Sequence, residues 1–424
     1  MNLSFAKWID KIAGRVACFL LSAARTTREM ISARDALVGE PGTIVLIKFW
    51  GLGNLVLLLP VFRALRRRYP SARILFVTLA RNRDLLEGVD DLDDLLLVED
   101  RSLFAILRTW FGALRRARAA RPDLVVDFEQ FARASAIFAF LSGAPQTVGL
   151  DTPGHGRGRM FHARVPYDDH RHTSETFLGL ARAAGVVTET YEPLPPPIFE
   201  ADRAAADALL REAGAGEGPV FVFHPGSGDN FLGRRWATEN FARLADHLLE
   251  RNGGLVVVTG SASEAPLVQE VRAASARRDR VVSAAGRLGV RALAALCGRA
   301  ALVVSNDTSP VHLASAMGRP VLGLYGPNTP VLYGPLSPGS VAFYHRTPCS
   351  PCLTNFNYKT SFCRMPVCIR TITVEEVAAA ADRRMEEMRT GAVPGAARVE
   401  LKDIPGPREF AARAAEFRAG GVEV

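Results

Sequence analysis

The sequence predicts an α/β protein built as two doubly wound, Rossmann-like domains facing each other across a cleft, and three observations carry that expectation. Short apolar runs rich in Val, Ile and Leu alternate with helical patterns from Ile44 to Tyr325, which implies parallel strands with helices on both faces of a sheet. Several of these runs end in a glycine, aspartate or asparagine turn that opens directly into a helix. Between them, Glu192-Pro193-Leu194-Pro195-Pro196-Pro197 is a stiff linker that divides the series in two, and 424 residues suffice for two cores.

Taken in order, residues Met1 to Glu40 form a separate N-terminal element. Phe5, Trp8, Ile12, Val16, Phe19 and Ala23 recur at spacings of three and four, with Lys7, Lys11 and Arg15 off that stripe. Such an amphipathic helix either lies in a membrane interface or packs on the domain behind it. The short apolar run Val16 to Ala24 also fits a signal peptide, but Asp10 and a body that reads as cytosolic weigh against that. The N-terminal domain is expected over residues 41–195. Ile44 to Phe49 is its first strand, followed by the turn Gly51-Leu52-Gly53-Asn54, where a ligand can approach the backbone, and a helix from Leu55 to Tyr69. Strands Ile74 to Thr78 and Leu95 to Val98, a helix from Leu103 to Ala119 and a strand from Leu124 to Phe128 continue the series. That last strand ends in Asp127-Phe128-Glu129-Gln130, so Asp127 and Glu129 face the ligand end of the sheet. Asp127 equally suits the cap of a helix from Phe131 to Leu141.

The second domain is expected over residues 196–372. Its first strand, Val220 to Phe223, leads to His224-Pro225-Gly226-Ser227-Gly228, a loop whose amides and hydroxyl suit phosphate, with Arg234 and Arg235 supplying fixed charge just before Trp236. Strands Leu255 to Thr259 and Arg280 to Ser283 and their helices lead to the stretch around which the chain is organised, Ala301 to Pro327. Here a strand from Leu302 meets Asn306-Asp307-Thr308-Ser309, Pro310 suits the first helical turn, and Gly318 ends the helix before the strand Val321 to Tyr325. A helix N-terminus at the carboxyl end of a parallel strand is a ready site for a diphosphate. Asp307 and His312 either serve that crevice or are a cap and a core histidine. A helix from Val374 to Met388 is expected to cross back to the N-terminal domain, with a weakly constrained tail after it.

Composition narrows the function classes. The formal charge of +8 comes mostly from arginine runs on helical patterns, such as Arg66-Arg67-Arg68 and Arg115-Arg116, without a nucleic-acid motif or interleaved aromatics. Nucleic acid is therefore excluded as the partner, and an anionic surface or acidic acceptor fits better. No apolar run reaches the ~18 residues of a membrane span. Four of the six cysteines, Cys349, Cys352, Cys363 and Cys368, fall in one loop; their spacing suits a structural zinc held by four thiolates, or reduced thiols in a cytosolic loop.

In order and spacing, several blocks resemble the family 9 glycosyltransferases, which include the ADP-heptose:lipopolysaccharide heptosyltransferases. They are IVLIKFWGLGNLVLLLPVFRALRRRYP from Ile44, FHPGSG with RRWATENFARLADHL, and VVSNDTSPVHLASAMGRPVLGLYGP, followed by CSPC and ITVEEV. The likeness runs from about Ile44 to about Ala381. It implies a GT-B fold, the sugar nucleotide on the C-terminal domain, the acceptor on the N-terminal one, and inverting, metal-independent transfer that requires no cofactor. By position, Asp307, Thr308, Ser309 and His312 would hold the diphosphate and donor sugar, Gly226, Ser227 and Arg234 the phosphate, and Glu264 the ribose, with Gly51 and Gly53 on the acceptor side.

Three positions depart from the family pattern: Ser309 replaces a usual Gly, Arg234 a usual Lys, and Asn54 the Asp thought to act as general base. A carboxamide cannot take the acceptor's proton, so Glu129 is expected in that role with Asp127 as alternate. The resulting expectation is a cytoplasmic enzyme, peripheral on the inner face of the cytoplasmic membrane, that moves heptose from ADP-heptose to a lipopolysaccharide core or related glycolipid. The rival readings are transfer of another nucleotide sugar, a catalytically weak sugar-nucleotide-binding homologue, and a sugar-nucleotide epimerase of similar fold.

Overall fold

The computed structural model of the chain describes residues 10–21, 40–187, 190–228 and 231–404. The chain divides into two compact units, Met1–Glu192 with Asn355–Tyr358, and Pro193–Thr354 with Lys359–Val424. The division falls where the proline segment begins. The segment Asn355–Tyr358, expected in the second domain, packs with the first: Asn355 donates to the buried Tyr167 hydroxyl at 2.5 Å, and Phe356 meets the Tyr167 ring edge-on.

The first unit opens with helix α1 (residues 10–21) and continues β1 (Thr43–Ile47), α2 (Leu52–Arg68), β2 (Arg73–Leu79), α3 (Arg83–Leu86), β3 (Asp94–Val98), α4 (Leu103–Ala119), β4 (Leu124–Asp127), α5 (Arg133–Leu141), β5 (Gln146–Asp151), β6 (Ala163–Pro166) and α6 (Thr173–Ala183). Its six strands are all parallel, in the order β3-β2-β1-β4-β5-β6. Val45, Ile47, Leu75, Val77 and Val125 on one face pack with Leu114 and Ala117 of α4 and Ala136 and Phe138 of α5, while Phe62 of α2 meets Phe76 at 5.0 Å. The chain order reverses between β1 and β4, the switch point where a doubly wound sheet holds its ligand.

Two local starts differ from expectation. Gly51 alone makes the turn after β1, with φ +90°, and α2 begins at Leu52, so Gly53 and Asn54 lie in the first helical turn. The α5 helix begins at Arg133, and its cap comes from the distant Asp10. That carboxylate accepts the Arg133 amide at 2.9 Å and the Ala134 amide at 2.8 Å, satisfying donors the helix start leaves unpaired.

α1 lies close along α5 because Gly14 has no side chain; a Cβ there would stand 2.9 Å from the Arg133 Cβ. Gly14 and Cys18 are buried, whereas Ile12, Val16 and Phe19 of the predicted stripe face outward. Phe5, Trp8 and Ala23 of that stripe lie outside the described residues.

The second unit runs α7 (Glu200–Glu212), β7 (Val220–His224), α8 (Thr238–Asn252), β8 (Leu255–Val258), α9 (Ala265–Ala274), β9 (Val281–Ser283), α10 (Val290–Arg299), β10 (Leu302–Asn306), α11 (Ser309–Ala316), β11 (Val321–Tyr325), α12 (Pro330–Tyr333), β12 (Val341–Arg346), α13 (Val367–Arg370), α14 (Val374–Thr390) and β13 (Arg398–Asp403). The sheet order is β13-β12-β11-β10-β7-β8-β9, again all parallel, with its switch point between β7 and β10. Val377, Ala381 and Met385 of α14 enter the same core as Phe241 and Leu248 of α8. The stretch after Gly391 is more ordered than expected, since β13 adds an outer strand beside β12.

Candidate active site

In the second unit the loops after β7 and β10 meet at the switch point. Asn306 joins them: its Nδ2 donates to Pro225 O at 2.7 Å and its Oδ1 accepts the Trp236 amide at 3.0 Å. The indole of Trp236 is buried and donates to Ile372 O at 2.7 Å, which anchors the preceding arginines. Arg234 donates to Asp307 O at 2.8 Å and also to Ser227 O, and its NH1 lies 3.7 Å from Asp307 Oδ2. Asn328 donates to that same carboxylate oxygen at 2.8 Å. Asp307 and His312, expected at an open crevice, are buried.

α11 begins at Ser309, as its sequence implied. Thr308, the N-cap residue, donates its hydroxyl back to Asn306 O at 3.2 Å, so its side chain does not cap the first-turn amides. Those amides and the positive end of the helix dipole favour an anion. Two buried polar atoms beside them, Arg234 Nε and Asn328 Oδ1, have no hydrogen-bond partner among the described residues, which marks this as an incompletely satisfied polar site.

Glu264, expected to contact the ribose, is turned onto the Gly226-Ser227-Gly228 loop. Its carboxylate accepts from the amides of Ser227 and Gly228, each at 3.1 Å, and from the amide and hydroxyl of Ser261, each at 3.0 Å. Four donors fill the lone-pair sites of a carboxylate, so Glu264 holds the Gly226-Ser227-Gly228 loop in shape. Gly226 packs against this carboxylate with no room for a Cβ. Burial works to raise the Glu264 carboxyl, but the Ser261 amide, His224 and the Gly228 amide hold it below its ordinary value. Burial likewise lowers His224 to about 4, and its neutral ring pairs with the Thr259 hydroxyl at 3.0 Å.

In the first unit, β1 and β4 bring Lys48, Asn54, Asp127, Glu129 and Gln130 together. Glu129 Oε1 accepts the amides of Phe49 and Trp50 at 2.7 and 2.8 Å, and Oε2 pairs with Lys48 Nζ at 2.8 Å. Glu129, expected as the general base, thus has a carboxylate that is fully buried and fully engaged by this network. Asp127 is no better placed: it is completely buried, 2.5 Å from Arg157, and accepts the Glu129 amide at 2.9 Å. Burial pushes its carboxyl up to about 6 against the opposing pull of Arg157. Both carboxylates act as framework. Half-buried Asn54 donates to Gln130 Oε1 at 3.5 Å, and Gln130 Nε2 has no partner among the described residues. Gly51 and Gly53 flank this start of α2.

Sequence reasoning passed over Lys48, Gln130, Arg157, Asn306 and Asn328. Lys48 carried a visible signal, as a lone cation in the apolar run IVLIKF. The partnerships of the others span 21 to 82 residues and have no local signature.

The four loop cysteines share one neighbourhood. Burial raises the Cys368 thiol, and Cys352, Cys363 and Cys349 raise it further. Among the described residues no three of these sulfurs come within 4.8 Å of one another, and the triad of potential ligands that does is Asp168, Asp169 and His170. A zinc at the cysteines thus requires the loop to tighten.

Comparison with known proteins agrees with this geometry. The profile of "Glycosyltransferase family 9 (heptosyltransferase)" matches residues 112–361. Lipopolysaccharide heptosyltransferase 2 of Salmonella typhimurium is 26% identical over 307 residues, covering 68% of this chain and 83% of that protein. Lipooligosaccharide heptosyltransferase 2 of Haemophilus influenzae is 35% identical over 124 residues; the match covers 29% of this chain and spans about a third, 35%, of that relative. The solved structure of E. coli ADP-heptose lps heptosyltransferase II aligns over 82% of this chain and 99% of its own with a TM-score of 0.64 at 20% identity, which speaks for the fold. The parallel sheets, the loops at their switch points and the profile match over more than half the sequence agree: this chain belongs to glycosyltransferase family 9.

Proposed function

We propose that the chain transfers heptose from ADP-heptose, with inversion, to a lipopolysaccharide core or related glycolipid acceptor at the inner face of the cytoplasmic membrane. The observation that carries this reading is the start of α11, not capped by the Thr308 side chain, beside Arg234 and Asp307, an arrangement suited to a nucleoside diphosphate leaving group. As the bond to the sugar breaks, negative charge grows on the diphosphate, and helix amides with a fixed guanidinium stabilise it without rearranging. The names of the relatives supply heptose and lipopolysaccharide, and that of the solved structure supplies ADP-heptose. Thermal melts with ADP, UDP and GDP test the donor, since a ligand that binds only the folded state raises its apparent stability. A shift with ADP alone supports the reading, and a preference for UDP or GDP replaces it with transfer of another sugar to a different acceptor.

One observation favours a second reading, a catalytically weak sugar-nucleotide-binding homologue. Asn54 stands where the family's base is expected, and both neighbouring carboxylates are sequestered. ADP-heptose binding without turnover on any lipopolysaccharide acceptor would select it. A structural metal in the four-cysteine loop is a separate proposal, supported by the shared neighbourhood of the thiols. About one tightly bound ion per chain supports it, and a metal-free, folded chain refutes it.

A further inference from the structure

The first unit turns apolar side chains outward from two helices on the same side of its sheet. On α4, Phe104 and Phe111 are 76% and 57% exposed with Leu107 between them; on α1, Val16 and Phe19 are 57% and 68% exposed. α5 lies against both helices. Asp10 of α1 caps it, Trp110 of α4 meets its Phe138 edge-on at 5.3 Å, and Cys18, Ala113, Leu114 and Phe138 share one core. The inward sides of α1 and α4 are thus already used in the core, and the outward strips remain exposed.

Charge says what these strips fit. α4 contains no Asp or Glu and four arginines, of which Arg108 and Arg115 stand one turn beyond Phe104 and Phe111 on the same side. Both are exposed. α1 carries Lys11 and Arg15, both exposed, and its single acid, Asp10, is turned inward onto α5. Apolar strips bordered by long cationic side chains match a lipid interface, where the rings enter the acyl boundary and the charges reach the headgroups. Among the described residues no helix is long and apolar enough to cross a membrane, so contact through these helices is with its surface.

We propose that α1 and α4 form one docking face for an anionic lipid bilayer. The inference rests on the reading that the acceptor is carried in a membrane, and it names the residues that bring the enzyme there. The test is flotation of the full chain with vesicles of phosphatidylcholine, alone or mixed with phosphatidylglycerol. Wild type is expected to float with the mixed vesicles and far less with the neutral ones. Phe104→Ser/Phe111→Ser and Val16→Ser/Phe19→Ser should each reduce flotation by ~10-fold or more, and Arg108→Gln/Arg115→Gln should weaken the preference for phosphatidylglycerol. Melting temperatures equal to wild type establish that the variants fold. Transfer to an acceptor oligosaccharide freed of lipid should be unchanged in all of them, so failure of the docking face and failure of the proposed reaction give different results. Wild-type flotation by either serine pair overturns the proposal. A wild-type dimer that these pairs render monomeric overturns it as well, by assigning the face to a second copy of the chain.

Discussion

Lys48 Nζ lies 2.8 Å from Glu129 Oε2 with both side chains closed to solvent, and this pair ties the end of β1 to the end of β4. The second Glu129 oxygen takes the amides of Phe49 and Trp50, so one side chain fixes the path of the chain into Gly51 and the start of α2. The same contacts make Glu129 a positioning residue for Asn54.

Glu129→Gln is therefore expected to act on stability first. It leaves the Lys48 ammonium buried without a counter-charge, and breaking a buried pair from one side costs about 3 to 5 kcal/mol. Urea denaturation of wild type and variant measures this. Unchanged stability together with a ~100-fold fall in kcat at intact donor affinity would return Glu129 to the role of base.

Arg234 bridges Asp307 O and Ser227 O, which lie on the loops after β10 and β7. Arg234 reaches the two carbonyls with separate nitrogens and keeps Nε free of any partner among the described residues, whereas a lysine has a single nitrogen to place. With charged hydrogen bonds worth ~1.5 to 3 kcal/mol each, Arg234→Lys should weaken ADP and donor binding by ~10-fold or more. Titration of ADP with each protein gives the comparison. Equal affinity would remove Arg234 from the donor site.

How much of this was legible in the sequence depended on the range of the interaction. The start of α11 was readable because its signals, Asn306 to Pro310, are consecutive. The parallel, doubly wound character of both sheets followed from β/α alternation alone, whereas their strand orders, and so the switch points, did not. The start of α2 was placed three residues late because Gly53 and Asn54 suggest a turn, yet Gly51 at φ +90° makes that turn by itself. The stripe of α1 was read as facing either a membrane or the domain, and its inward side gave no signal of its own. Hydrophobic periodicity reports only the apolar stripe, whereas this helix docks through Gly14, Cys18 and the capping carboxylate of Asp10, which lie off that stripe. Glu129 and Asp127 were recognised as belonging to the site, but their partners Lys48 and Arg157 lie 81 and 30 residues away, so their role as framework was invisible.

His224 gives the second unit a pH dependence with a definite sign. Its folded pKa is lowered by burial to about 4 from an ordinary 6.5. The unfolded chain therefore binds a proton that the folded chain refuses between those values. Stability from this group is complete above pH 6.5 and is lost as pH falls toward 4. For one such histidine the loss between pH 7 and pH 5 is about 2 kcal/mol. His224→Asn should flatten the profile by about that amount, read as the difference between denaturation free energies at the two pH values in wild type and variant. Parallel profiles would mean that His224 is accessible to protons in the folded state.

Asn54 is where the chemistry of transfer is most open to test. It sits in the first turn of α2 and is half-buried, with its amide directed to Gln130 Oε1 at 3.5 Å, while Lys48 Nζ reaches the same Gln130 oxygen at 3.4 Å. A carboxylate at position 54 would therefore join an existing network that contains a cation. It would also restore a group able to accept the acceptor hydroxyl's proton as the glycosidic bond forms, assistance worth ~10²- to 10⁴-fold where it operates. If the wild-type site lacks a base, Asn54→Asp should raise kcat by at least ~10-fold with little change in donor affinity, and its pH–rate profile should acquire an acidic limb that the wild type lacks. Steady-state kinetics with donor and acceptor across pH measure both. A variant no faster than wild type, with an unaltered pH profile, would show that the proton leaves by another route and that Asn54 has only to orient the hydroxyl.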